Sequence, residues 1–230
     1  MIPRIIHYCW FGKNPLPEDV KKYIATWKEF LPDYEIKEWN ETNFDIHCCK
    51  YVEEAYRHKK WAFVSDVARL YALYKEGGIY LDTDVEVVRS YDELLHNKMF
   101  LGFEGTKWIG TNIIASEKNH PILYSFYKQY YERNFVNSDG SIDYTTNVQE
   151  LTKFLIAQYG LNLDGKEQNT SLFHIYPTDY FSPYDYIQDR LFRTSNTYSI
   201  HWYSQSWLKT KSLKKRLAIW YHRLFGIKMT

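Results

Sequence analysis

Two aspartates, Asp82 and Asp84, interrupt the apolar run IYLDTDVEVV at residues 79–88. The run is rich in β-branched residues and predicts a strand. Because side chains alternate along a strand, the two carboxylates are expected on one side of it, close together. Such carboxylates repel one another unless a cation or a proton lies between them, and their hard oxygen atoms suit Mg²⁺ or Mn²⁺. The alternative is that the strand ends here and both aspartates lie in a solvated turn.

A second charged pair, Asp66 and Arg69, lies upstream in the segment SDVARLYALYKEGG. The two residues are one helical turn apart and share a face of a predicted helix whose other faces are largely apolar. A buried helix requires partners for both charges. They form either a structural ion pair with each other or a site that also holds a polar ligand. The Gly77-Gly78 turn brings this helix beside the Asp82/Asp84 strand.

The elements that position these residues alternate between strands and helices, which predicts an α/β fold with a mixed central sheet flanked by helices. Thr146 to Gln149 has the form of a capping box and predicts a helix start. Gly77 predicts a helix end. The predicted strands are residues 2–10, 34–39, 79–88, 98–103 and 111–115, and the predicted helices are residues 18–30, 61–76, 121–133 and 147–159.

The composition indicates an ordinary globular protein with a strong asymmetry of charge. The 230 residues predict one domain, with 45% hydrophobic and 25% charged residues. The formal net charge is +1, but seven Lys or Arg and no acid follow residue 208, so residues 1–208 sum to −6. An acidic body argues against a nucleic-acid partner.

The expected location is the cytoplasm or the inner face of the plasma membrane. Three cysteines, two of them adjacent (Cys48 and Cys49), give no disulfide framework and indicate a reducing compartment. The first residues lack the apolar run of a signal peptide, and no stretch reaches the roughly 18 apolar residues of a membrane span. The protein is therefore expected to be soluble or to lie on a membrane surface.

A basic segment at residues 208–230 is expected to form an appendage to a domain at residues 1–207. Leu213, Leu217, Trp220, Tyr221 and Leu224 follow one stripe of a predicted helix, with Lys and Arg mainly flanking or opposite it. Such a helix is typical of membrane-surface binding. The alternatives are a helix packed on the domain and a solvated tail.

Three segments, IPRIIHYCWFG, SDVARLYALYKEGGIYLDTDVE and HWYSQSW, together resemble the DXD-containing, sugar-binding-region glycosyltransferases (family 32). That family includes bacterial capsular polysaccharide and lipooligosaccharide enzymes and a yeast initiating mannosyltransferase, and clostridial glucosylating toxins are distant relatives. The resemblance covers most of residues 1–207. It implies a GT-A fold and retaining, metal-dependent transfer of a hexose from a nucleotide diphosphate sugar. UDP is the expected donor nucleotide, with GDP left open, and the expected acceptor is a hydroxyl of a growing, lipid-linked surface oligosaccharide.

The resemblance also implies roles for particular residues. Asp82 and Asp84 are the expected catalytic pair, and the implied metal ligands for Mn²⁺ or Mg²⁺ are Asp84, His201 and Asp82. Trp10 is expected to stack on the donor's base, or else to be core. Asp66 and Arg69 are expected to contact ribose and sugar, and Tyr80 to lie near the nucleotide. Asp82 is expected to bridge ribose or sugar and the metal. The remaining expected donor-binding residues are Asn112, in a loop facing the transferred sugar, and Ser206 and Trp207, closing over the diphosphate.

One departure from the family pattern and two other functions complete the predictions. The family often has a Gly-Pro pair before the helix near residue 147, where this chain has Thr146-Asn147.

The run IYLDTDVEV also resembles the motif of haloacid-dehalogenase-type phosphatases, in which Asp82 would be the nucleophile. Those motifs usually open the first strand of their domain, and here about 80 residues precede it. The other alternative is a catalytically inactive nucleotide-sugar-binding homologue.

Overall fold

The computed structural model describes residues 1–204, in which helices flank a central mixed sheet of eight strands. Ser206, Trp207 and the basic segment at residues 208–230 lie outside the described residues. The helices are α1 (Glu18–Phe30), α2 (Lys50–Arg57), α3 (Trp61–Glu76), α4 (Pro121–Gln129), α5 (Asn147–Tyr159) and α6 (Thr178–Phe181). The strands are β1 (Ile5–Cys9), β2 (Glu35–Trp39), β3 (Gly78–Leu81), β4 (Val85–Val87), β5 (Met99–Glu104), β6 (Trp108–Ile109), β7 (Ile113–Ser116), β8 (Gln168–Asn169), β9 (His174–Tyr176), β10 (Tyr184–Asp185), β11 (Arg190–Leu191) and β12 (Ser199–His201).

The sheet has the order β2-β1-β3-β7-β5-β9-β8, with β6 paired to β5. Strands β2, β1 and β3 are parallel, β7 is antiparallel to both β3 and β5, and β9 is parallel to β5. The register aligns His7 with Tyr80. Trp10 and Asp82, which follow the last residues of β1 and β3, therefore lie at the same edge of the sheet. The mixed sheet confirms the predicted α/β fold.

Helix α3 is buried on nearly all sides, as its apolar sequence predicts, and it packs on β1 and β3 and against α2 and α4. Alternate strand residues contribute to two apolar clusters on opposite faces of the sheet. One cluster contains Tyr80 and most of the buried side chains of α3, and the other contains Ile79, Leu81 and the buried side chains of α1. Among residues 1–204, no helix has the length and apolar character needed to cross a membrane.

The predicted strand at residues 79–88 is wrong, because the chain turns at Asp82–Asp84 and forms two short strands instead. The N–H of Val85 donates to the carbonyl of Asp82 (3.1 Å), which closes the turn. Strand β3 stays in the central sheet, whereas β4 pairs with β12. The two carboxylates are therefore not aligned by the alternation of side chains along one strand. The turn and the pairing of β4 with β12 position them instead.

The three longest helices of residues 1–204 have the predicted bounds, whereas the shorter helices do not. Helices 18–30, 61–76 and 147–159 are confirmed, as is the capping box formed by Thr146 and Gln149. The helix predicted at residues 121–133 is α4, which ends at Gln129, because the chain turns at residues 130–132. Helix α2 was not predicted.

The turn between α3 and β3 depends on two glycines in conformations that other residues rarely adopt. Gly77 has φ +71° and Gly78 has φ +106°. A Cβ on Gly78 would lie 2.6 Å from the carbonyl oxygen of Ile5, so β3 approaches β1 closely only because this residue has no side chain. The turn confirms the expected proximity of α3 and β3.

Candidate active site

Asp82 lies directly after β3 and is held by backbone and side-chain contacts. Its N–H donates to the carbonyl of Asn112 (2.9 Å). Its Oδ1 accepts a hydrogen bond from the hydroxyl of Tyr80 (2.9 Å) and lies 3.3 Å from Nη2 of Arg69. The carboxylate is therefore fixed at the edge of the sheet, with about a quarter of its side chain exposed.

Arg69 connects two carboxylates from different elements. Its Nη2 lies 3.1 Å from Oδ1 of Asp66 and 3.3 Å from Oδ1 of Asp82, and its Nη1 donates to the carbonyl of Thr111 (2.7 Å). The guanidinium lies over the ring of Tyr80, 4.5 Å from the centroid. Asp66 and Arg69 therefore belong to an ionic network that also includes Asp82, rather than to an isolated pair.

Asp66 carries a pH-dependent cost in stability. Burial raises its pKa to about 6 from 3.8, with Asp82 adding to the rise and Arg69 opposing it. The folded state binds a proton on the Asp66 carboxylate more tightly than the unfolded state does. The stabilisation of the fold by this proton is present below about pH 4 and is lost as the pH rises towards 6. The free energy of unfolding of Asp66→Asn, relative to that of the parent, should therefore increase between about pH 4 and about pH 6, by up to about 3 kcal/mol. Urea unfolding across this range measures it, and a constant difference between the two proteins would contradict the assignment.

Asp84 and His201 meet because β4 pairs with β12, and the register sets His201 opposite Val85. Nε2 of His201 lies 3.3 Å from Oδ1 of Asp84, and Oδ2 accepts hydrogen bonds from N–H (2.7 Å) and Oγ (2.9 Å) of Ser204. Burial alone would raise the pKa of Asp84, but His201 and Ser204 lower it to about 2. The Asp84 carboxylate is therefore ionised at neutral pH.

The donor set of Asp82, Asp84 and His201 fits a divalent cation. One ligand atom from each residue lies within 4.8 Å of the others. Two ligands on opposite sides of Mg²⁺ are about 4.2 Å apart, so small side-chain movements suffice to close the set. The second ring nitrogen of His201, Nδ1, is buried without a hydrogen-bond partner among the described residues. Carboxylate oxygens with one imidazole nitrogen suit Mn²⁺ or Mg²⁺.

Glu104, at the end of β5, is a candidate site residue that the sequence analysis did not identify. Burial raises the pKa of its carboxyl group, His201 lowers it, and Asp82 and Asp84 raise it further. Glu104 is therefore near enough to the three candidate ligands to interact with them electrostatically. A single glutamate at a strand end carries no spacing signal, and only the pairing of distant strands brings this one to the site.

Trp10 and Asn112 occupy different surroundings at the same edge of the sheet. Trp10 is half-buried, and its indole N–H donates to the carbonyl of Asn14 (2.7 Å). Asn112 is buried, and its Oδ1 accepts a hydrogen bond from Ser182 (3.4 Å). Its backbone carbonyl, rather than its side chain, contacts Asp82.

A cavity of about 520 Å³ is lined by neither Trp10 nor the candidate metal ligands. The Gly12–Asn14 turn forms one wall, and Asn14 is the residue that accepts the hydrogen bond from Trp10. The opposite wall consists of Tyr56, Arg57, Lys59 and Trp61, before and at the start of α3.

Known proteins share the region that carries these residues. Residues 17–101 match the family described as "Glycosyltransferase sugar-binding region containing DXD motif". Inositol phosphoceramide mannosyltransferase 3 of Schizosaccharomyces pombe is 33% identical over 133 residues, which are 53% of this chain and 35% of that protein. The chain thus spans about a third of that relative's length. The uncharacterized glycosyltransferase L373 of Acanthamoeba polyphaga mimivirus is 29% identical over 171 residues, covering 66% of this chain and 67% of the relative.

A solved structure shows the same fold. The PaToxG glycosyltransferase matches with a TM-score of 0.52 and 20% identity, covering 69% of this chain and 70% of the other. The GT-A architecture expected from the sequence is confirmed.

Proposed function

We propose, from the match of residues 17–101 to the DXD-containing, sugar-binding region of a glycosyltransferase family, that the chain transfers a hexose from a nucleotide diphosphate sugar to a hydroxyl acceptor. The observation that carries the proposal is the meeting of Asp82, Asp84 and His201 at the edge of the sheet. The family match supports a glycosyltransferase with a DXD region. The donor, the metal and the stereochemical course are parts of the proposal.

The chemical difficulty of the reaction is the diphosphate leaving group, whose negative charge grows as the bond to the sugar breaks. A bound Mn²⁺ or Mg²⁺ neutralises part of that charge. Asp84, His201 and Asp82 would hold the ion. Ser204 keeps Asp84 oriented through two hydrogen bonds to Oδ2. Ser206 and Trp207 are proposed to close over the diphosphate.

The donor's nucleoside and sugar are assigned to the other residues of the site. Trp10 would stack on the base, and UDP is the proposed nucleotide, with GDP as the alternative. Asp66 and Arg69 position ribose and sugar. Tyr80 orients Asp82 through its hydroxyl group (2.9 Å). Asn112 completes the donor site.

The proposed reaction retains the anomeric configuration. The acceptor hydroxyl attacks on the face that the diphosphate leaves, and an oxygen of the departing diphosphate takes the acceptor's proton. The chain therefore needs no dedicated base, and we assign none.

The proposed acceptor is a lipid-linked surface oligosaccharide, such as an intermediate of capsular polysaccharide. A relative named as an inositol phosphoceramide mannosyltransferase supports a lipid-bearing acceptor. Residues 1–207 would form the catalytic domain. The basic residues 208–230 would contact the inner face of the plasma membrane, where anionic lipids attract Lys and Arg.

Release of free nucleotide from a panel of UDP- and GDP-sugars, with and without Mn²⁺, tests the proposal. We expect slow hydrolysis of one donor that requires the metal, because water replaces the acceptor. If no donor is cleaved, calorimetry with UDP and with GDP in the presence of Mn²⁺ decides the matter, and failure to bind either nucleotide would refute the donor site. Binding without turnover on any donor and acceptor would indicate an inactive homologue. Cleavage of an aryl phosphate would instead favour the phosphatase.

A further inference from the structure

The hairpin of β10 and β11 carries a concentration of exposed apolar side chains. Of the eleven large hydrophobic side chains that are exposed within residues 1–204, four lie in a stretch of seven residues. Every residue from 186 to 196 is exposed. We call the four side chains the hairpin tip, and they are Tyr186, Ile187, Leu191 and Phe192.

The hairpin tip has a defined conformation. The carboxylate of Asp185 accepts hydrogen bonds from the N–H groups of Ile187 (2.8 Å) and Gln188 (3.0 Å). The N–H of Phe192 donates to the carbonyl of Pro183 (2.9 Å). These bonds hold Ile187, at 58% exposure, and Phe192, at 47%, away from the core. Keeping such groups in water costs free energy, and a partner surface would recover it.

Two arginines flank the hairpin tip. Residues 186–193 contain these two arginines, Arg190 and Arg193, and one acid, Asp189, whose carboxylate accepts a hydrogen bond from the hydroxyl of Tyr184. The guanidinium of Arg190 lies 5.2 Å from the ring centroid of Phe192. Apolar side chains beside cations fit a bilayer whose headgroups are anionic. The sequence after residue 208, with seven Lys or Arg and no acid, has the same charge preference.

Aromatic contacts connect the hairpin directly to the candidate active site. The ring of Tyr186 lies 4.9 Å from that of Tyr203, which in turn lies 3.9 Å from the imidazole of His201. At the base of the hairpin, Tyr184 lies 5.0 Å from Trp202. A surface that binds the hairpin tip would therefore lie near the residues proposed to hold the metal.

We propose that the hairpin tip docks on the surface of an anionic lipid bilayer and thereby presents the candidate active site to a lipid-linked acceptor. The acceptor class rests on the proposed function, whereas docking does not depend on it. The apolar side chains enter the headgroup boundary, and the two arginines contact anionic headgroups.

Co-sedimentation of the full chain with vesicles tests the proposal in the absence of nucleotide and metal. The triple variant Ile187→Ser, Leu191→Ser, Phe192→Ser should lower the partition coefficient onto phosphatidylcholine–phosphatidylglycerol vesicles by about tenfold or more. The matched control is Ile156→Ser with Leu163→Ser, which removes apolar side chains that are 40% and 39% exposed elsewhere, and it should bind like the parent.

A charge-removing pair of variants separates the electrostatic part of docking. Arg190→Gln with Arg193→Gln should weaken binding to the anionic vesicles by several-fold and leave binding to pure phosphatidylcholine unchanged. Lys118→Gln with Lys166→Gln removes the same charge from exposed positions and should have little effect.

Three results would overturn the proposal. They are a parent chain that does not bind vesicles, a triple variant that binds as well as the parent, and a triple variant that only converts a self-associating parent to a monomer. The last would show that a second copy covers the hairpin tip. Since all forms contain residues 208–230, those residues cannot account for a difference between them. Donor cleavage in solution is measured separately, so a failure of docking is distinguishable from a failure of the proposed transfer.

Discussion

Asp84→Asn is expected to lower metal-dependent cleavage of the sugar donor by at least about a hundredfold. The substitution keeps the size of the side chain but removes the charge that faces His201, 3.3 Å away, and that would bind the cation. The measurement is nucleotide release from the preferred donor as Mn²⁺ is titrated. Full Mn²⁺-dependent turnover by the variant would refute the proposed role of Asp84.

Two further variants separate charge from positioning in that experiment. Ser204→Ala removes the hydroxyl that donates to Asp84 (2.9 Å) but keeps the carboxylate and the N–H contact, so its loss of activity should be much smaller. Asp92→Asn makes the same chemical change at a carboxylate that pairs with Arg4 outside the site, and donor cleavage should not change. A loss in Ser204→Ala equal to that in Asp84→Asn would mean that positioning, rather than metal binding, explains the effect.

Arg69→Met should lower the free energy of unfolding by about 3–5 kcal/mol. Arg69 is the shared cationic partner of Asp66 in α3 and Asp82 after β3, and its removal leaves both carboxylates without that cation. It also removes the hydrogen bond to the carbonyl of Thr111 (2.7 Å). Urea unfolding at neutral pH, without metal or nucleotide, measures the loss.

The control for this prediction is Arg57→Met, because Arg57 forms an ion pair with Glu53 in which its side chain is 68% exposed. Exposed pairs contribute less than about 1 kcal/mol. Adding Asp66→Asn to Arg69→Met should restore part of the lost stability, since one of the two unpaired charges is then gone. If Arg69→Met were no more destabilising than Arg57→Met, the buried network would not contribute as described.

Features that depend on local sequence were predicted from it. Helix α3 has apolar residues on nearly every face and a glycine at its end, and both bounds were predicted. The capping box at Thr146 fixed the start of α5 in the same way. Asp66 and Arg69, one turn apart, and the glycine turn that follows them were also sufficient to predict that they lie beside Asp82.

Features that depend on distant pairing were not predictable. The run at residues 79–88 has the local character of one strand, and it divides because β4 finds its partner in β12, far along the chain. Because one continuous strand was predicted, the carboxylates of Asp82 and Asp84 were expected to meet through the alternation of its side chains. A turn and the β4–β12 pair position them instead. Glu104 reaches the site only through the order of strands in the sheet.

The β4–β12 pair also determines when the candidate metal site becomes complete during synthesis. Asp82 and Asp84 leave the ribosome early, together with the helix that holds Arg69, but the ligand and the hydrogen bonds that complete the site come from His201 and Ser204, the latter 120 residues after Asp84. A chain interrupted before β12 would carry the DXD segment without its imidazole partner. A nascent or truncated chain would therefore lack the full set of proposed metal ligands until almost all of the described fold has been made.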